Sequence, residues 1–167
     1  MRRTAAVVVA LLVCLGTLVG IAAGNAGSPQ RFLTVANDDG ELASLPLTGD
    51  TFAVSYRNSI YQTLAEERYE VQPDGSYRLV QIAADQLAVL EEYYGVPDAP
   101  TPAGPKDRRN YVVPPNPERP VVFDTLSIAA TDLGQRTLHV PGQPPLELWP
   151  LVGNSNPFVV LDIKEIQ

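Results

Sequence analysis

The densest group of side chains able to do chemistry runs from Tyr56 to Tyr69 and holds Arg57, Asn58, Ser59, Glu66 and Glu67. A cation, an amide, a hydroxyl and two carboxylates supply the donors and acceptors with which a protein recognises a small polar ligand. Catalysis is harder to build from them. A serine nucleophile needs a base within hydrogen-bond reach. Ser59 has no G-x-S-x-G around it, and the single histidine, His139, lies 80 residues further on. Glu66 and Glu67 are neighbours, so on a strand they project to opposite faces. They do not make the facing carboxylate pair of a glycoside hydrolase. A structural role also accounts for these residues: Asn58 and Ser59 hydrogen-bond the turn backbone, and one glutamate pairs with Arg57 or Arg68.

A second group is Lys106, Arg108 and Arg109, with Tyr111 close behind. A cation cluster beside an aromatic can hold an anionic ligand or meet a membrane surface, and equally can be solvated surface. His139, between Leu138 and Val140, reads as a packed or edge residue of a strand. Asp38, Asp39 and Glu41 read as a solvated turn rather than a cation site.

Composition removes other classes. One Cys and one His exclude an intramolecular disulfide, CxxC clusters and zinc sites built on several such ligands. A net charge of −7 lacks the basic footprint of a nucleic-acid binder. No cofactor and no metal are expected. With 167 residues, 45% hydrophobic and 19% charged, the chain suits one folded domain.

The elements that must position these groups read mostly as strands. Residues 31–36 and 41–46 flank Asn37-Asp38-Asp39-Gly40, a hairpin signal because glycine accepts positive φ. Residues 51–56 place Phe52, Val54 and Tyr56 on one face. Residues 67–72 and 76–82 flank Pro73-Asp74-Gly75, with Tyr69 and Val71 packing against Tyr77 and Leu79. Residues 84–94 change period: Leu87, Leu90 and Tyr94 form a helical stripe, with Asp85 to cap its start and Gly95 its end. Residues 97–120 carry eight of the 16 prolines and read as a long surface loop rather than sheet. Strand character returns at 121–123, 125–130, 136–140, 146–149 and 158–166. The expected fold is mostly β: an antiparallel β-sandwich or partly open barrel, with one short helix over about 85–94 and an N-terminal apolar helix.

Export is expected from the N-terminus. Arg2 and Arg3 precede Ala5–Ala23, an uncharged apolar run of 19 residues followed by small residues. This is the pattern of a signal peptide or of a retained membrane anchor, and either leaves the remainder outside. Cys14 follows Val13 rather than the small residue a lipoprotein signal requires, so it reads as part of the apolar segment. The organisation expected is a signal or anchor over 1–27 and an extracytoplasmic β-domain over 28–167. That domain carries −9, because residues 1–27 hold two arginines and no acid.

The segment Phe52-Ala-Val-Ser-Tyr56-Arg-Asn58-Ser59, the run Glu66-Glu67-Arg-Tyr-Glu-Val71 and the late pair Arg136-Thr-Leu-His-Val140 and Leu146-Glu-Leu148 together resemble an uncharacterised bacterial family, domain of unknown function eighteen-fifty. The resemblance covers most of residues 31–166. Ser59 and Glu66 match the family's pattern. Asn58 stands where the family usually has His, and Tyr61 where an acid is often found. Asn keeps hydrogen-bonding capacity but does not titrate near neutral pH, so a binding role survives the change better than a catalytic one. Members are exported or anchored and are commonly encoded beside TAXI-type TRAP transporters. The resemblance therefore implies a non-enzymatic accessory to such a transporter, with its permease or solute-binding protein as partner. Two other expectations stand beside it: a free-standing module that binds a small organic solute, and, more weakly, a small hydrolase using Ser59 or the glutamates.

Overall fold

The computed structural model describes residues 30–153 and 155–166. The expected N-terminal apolar helix, the signal or anchor over 1–27 and Cys14 lie outside the described residues. Among those described, no helix is long and apolar enough to cross a membrane.

The chain is mostly β, in antiparallel sheets, as the alternating patterns predict. Strands β1 (Gln30–Asn37) and β2 (Gly40–Pro46) form the first hairpin. Gly40 turns it at φ 128°, a conformation open to glycine, while Asn37 Oδ1 accepts the Asp39 N–H at 2.9 Å. The acidic side chains of this turn are exposed, and Glu41 pairs with Lys164 at 2.9 Å. Three long strands follow: β3 (Thr51–Arg57), β4 (Leu64–Val71) and β5 (Tyr77–Ala84). The shorter strands are β6 (Thr101–Pro102), β7 (Tyr111–Val113), β8 (Val122–Phe123), β9 (Leu126–Ala129), β10 (Thr137–His139) and β11 (Leu146–Glu147). The chain closes with β12 (Phe158–Ile166).

Two sheets result. One has the order β2-β1-β12-β9, the other β11-β10-β3-β4-β5-β7-β6, with β8 also paired to β5. The inner faces meet sandwich-fashion over Leu33, Val35 and Leu161 of the first sheet and Phe52, Val54, Tyr69 and Leu138 of the second. Phe52 stacks on Tyr69 with ring centroids 5.0 Å apart, and Tyr77 meets Tyr69 edge-on at 5.7 Å. Aromatic pairs of this geometry add about 1 kcal/mol each beyond the area they bury.

Two expectations are corrected. The short helix expected after β5 is present, but over Val89–Tyr94 it is wound as a π-helix, and it buries Val89 and Leu90 while Leu87 is exposed. The wider turn breaks the 3.6-residue period. Asp85 does not cap it, because its carboxylate accepts from Arg109 instead. Gly95 does end it, at φ 59°. Secondly, 97–120 is not loop throughout. Its prolines leave Thr101–Pro102 and Tyr111–Val113 free to pair as an edge hairpin, and Tyr111 lies in β7 rather than on the loop.

Candidate functional site

Residues directly opposed on antiparallel strands share a face. Across β3 and β4, Ser55 opposes Glu66 and Ala53 opposes Arg68. On the flanks, His139 of β10 opposes Ala53, and Gln81 of β5 opposes Arg68. These residues therefore lie together on the outer face of the larger sheet. A β-bulge leaves Val80 without a partner between Leu79 and Gln81, and both Val80 and Gln81 line that outer face.

The β6–β7 connection closes with the Ala103 N–H on the Asn110 carbonyl at 2.8 Å and folds across this face. Arg108 grips Glu66 with two parallel bonds, Nε to Oε2 at 2.9 Å and Nη2 to Oε1 at 2.8 Å. Arg68 Nε reaches the same Oε1 at 2.7 Å. The other end of Arg68 holds Asp107 at 2.8 and 2.5 Å and Gln81 at 2.7 Å. Arg109 donates to Asp85 at 2.9 Å. Its buried Nε makes no hydrogen bond and stands 3.9 Å from Glu66.

Glu66 is 0% exposed, and a buried carboxylate is tolerated only when its lone pairs are met by charged donors. Burial alone would raise its pKa, but hydrogen bonds from Arg108 and Arg68 outweigh burial and hold it below the usual carboxylate value. Asp107 is lowered to about 2, chiefly by the Arg68 guanidinium. His139 Nε2 lies 2.8 Å from Ser55 Oγ. Burial, and then the charge of Arg108, lowers its pKa and disfavours a charge on the ring.

Beside this network lies an open cleft of about 720 Å³, floored by Ala53 and lined by Val80, Gln81, Lys106, Arg108 and His139. Small-molecule sites commonly fall in this size range, with apolar walls and a few convergent polar groups.

The strand-end candidates separate. Glu67 faces the opposite side from Glu66. It accepts from Tyr69 and Tyr94, each at 2.8 Å, and Tyr94 in turn accepts from Tyr56 at 2.9 Å. Arg136 lies over the Tyr56 ring at 4.7 Å. Asn58 is buried and occupied by its turn: Oδ1 accepts the Ile60 and Tyr61 N–H groups, both at 3.0 Å. Arg57 and Ser59 are exposed. Of the first candidate group only Glu66 joins the cleft network. Of the second, Lys106 and Arg108 line the cleft, Arg109 braces it, and Tyr111 packs near the π-helical turn.

Arg68, Gln81, Asp107 and His139 were not singled out for this site. Strand alternation links Glu66 with Arg68 in the sequence. The reach of Asp107 and Arg108 to β4 spans 39 and 42 residues and carries no local signal. A serine hydrolase triad is not assembled here: Ser55 is buried, and among the described residues no acid bonds the other ring nitrogen of His139. No protein-family model, curated protein or solved structure matches the chain.

Proposed function

We propose that the domain is a non-enzymatic binding module that seats a small organic solute in the outer-face cleft. The observation that carries this reading is Glu66, a fully buried carboxylate that fixes Arg108 at the cleft rim. A rim held in place before the ligand arrives binds at a lower ordering cost. A thermal-shift series on the full chain in mild detergent tests it. A solute at 100 times its dissociation constant adds about 2.7 kcal/mol to folded stability, and Arg108→Met is expected to reduce the shift. No shift across carboxylates, amides, amino acids and sugars contradicts the reading.

A second reading is an extracytoplasmic accessory of a TAXI-type TRAP transporter. It rests on the family resemblance and the N-terminal export pattern. It is favoured by the exposed apolar side chains Ile60 and Leu133 at the far end of β3, where the Arg57 N–H bonds the Gly134 carbonyl. Affinity purification from the native membrane tests it. Stoichiometric recovery of a TRAP-type permease or solute-binding protein supports it, and recovery of the protein alone counts against it.

A further inference from the structure

We propose that the solute this cleft takes is an organic monoanion, one carboxylate on an apolar body. This rests on the solute-binding reading above. Charge bookkeeping at the site leads to it. Three arginines and three carboxylates face one another there, and each guanidinium has a counterpart: Arg68 with Asp107, Arg108 with Glu66 and Arg109 with Asp85. The trio balances to zero. Lys106 lines the same cleft, is exposed, and makes no ion pair among the described residues. Burial, and then the charge of Arg108, disfavours a charge on His139. One positive charge is therefore uncompensated.

The hydrogen-bond inventory agrees. Arg108 uses Nε and Nη2 on Glu66 and leaves Nη1 without a partner among the described residues, on a side chain that is half exposed. Lys106 Nζ and Arg108 Nη1 are thus two open donors at one rim, two positions apart in sequence. The nearest acid, Asp107, does not repel an incoming anion strongly. Both of its oxygens accept from Arg68, and Oδ1 also takes the Arg109 N–H at 2.9 Å. Ala53, Val80, Pro141 and Pro145 supply apolar wall that suits a hydrocarbon body, beside the polar side chains of Thr51, Gln81 and Gln143. A dianion would bring a second charge that no cation here neutralises, into a setting partly removed from water. A neutral amide would leave the lysine unused.

Calorimetry on the full chain in mild detergent at pH 7.5 tests this with two matched sets: hexanoate, hexanamide and adipate, then benzoate, benzamide and phthalate. Hexanoate or benzoate is expected to bind at least about tenfold tighter than its amide, which is ~1.4 kcal/mol, and no weaker than its dicarboxylate. Lys106→Gln is expected to erase the preference for the acid over the amide. Lys164→Gln, on the other sheet and paired with Glu41, is expected to leave that preference unchanged. Amides equal to acids, dicarboxylates favoured, or a preference that survives Lys106→Gln would overturn the monoanion inference and leave solute binding standing. No heat from any of the six compounds would overturn both.

Discussion

Glu66 and Glu67 are adjacent, identical in type and on one strand, yet they live in opposite chemistries. Glu66 points outward and meets Arg68 and Arg108, with Arg109 close by. Glu67 points inward and, among the described residues, accepts from the hydroxyls of Tyr69 and Tyr94. The period of two along a strand is enough to divide them. One face of the larger sheet is an ionic platform under a loop, and the other is an aromatic core with a hydroxyl chain. A carboxylate paired with cations can position a charged rim, whereas one paired with phenols holds packing together. The outer face thus presents charge at the surface, as the proposed recognition requires, and the inner face is packed core.

The comparison breaks most readily at its two glutamates. Glu66→Gln strips the carboxylate that Arg108 holds, and removing one partner of a buried ion pair costs about 3–5 kcal/mol. Because Arg108 is half exposed, the lower end, about 3 kcal/mol, is expected in urea unfolding. Glu67→Gln keeps an acceptor for neutral hydroxyls and is expected to cost about 1 kcal/mol. Equal losses for the two variants would erase the distinction between the faces.

The same contrast is visible in pH. Glu66 and Asp107 have folded pKa values below their ordinary ones. Their stabilisation is present above the unfolded values and is lost as pH falls through the folded ones, down to about 2 for Asp107. Tyr69 and Tyr94 are raised, first by burial and then by the charge of Glu67. Their stabilisation is present below pH 10 and is lost as pH rises beyond it. The outer face therefore fails in acid and the inner face in alkali. Denaturation midpoints across pH check this: Glu66→Gln is expected to flatten the acid limb and Tyr94→Phe the alkaline one.

Other single substitutions have milder effects than Glu66→Gln. Tyr94→Phe leaves Glu67 and Tyr56 each short of a partner and is expected to cost about 1–2 kcal/mol without changing solute affinity. Asn58→Ala removes the acceptor for two turn N–H groups and is expected to cost about 1 kcal/mol, on the scale of a lost helix cap. Ser59→Ala, at an exposed site outside the cleft, is expected to stay within about 0.5 kcal/mol and to leave binding unchanged.

Much of the fold could be read from the chain, because hairpins announce themselves locally. Gly40 and Gly75 sit in turns between alternating strands, and the predicted packing of Tyr69 and Val71 on Leu79 and Tyr77 is the observed register. The opposed directions of Glu66 and Glu67, and the pairing of one of them with Arg68, were also legible. The π-helical turn was not, since its buried pair, Val89 and Leu90, follows no 3.6-residue spacing. The site was legible only in halves. The strand end and the basic loop are separate in sequence, and the ion pairs that unite Glu66 with Arg108 depend on how an edge hairpin folds back over the sheet. His139 belongs to the cleft through β10 pairing with β3 across 84 residues, which no local pattern encodes.

On the proposed reading the outer face receives the solute. Chemical-shift mapping of the isotopically labelled full chain, titrated with benzoate, tests it most directly. The predicted result is a set of saturable shifts at Ala53, Gln81, Lys106–Arg109 and His139, with Arg57–Leu64 unmoved. Shifts confined to Arg57–Leu64 and Leu133–Gly134, with the 103–110 loop silent, would contradict it and move the functional surface to the strand end.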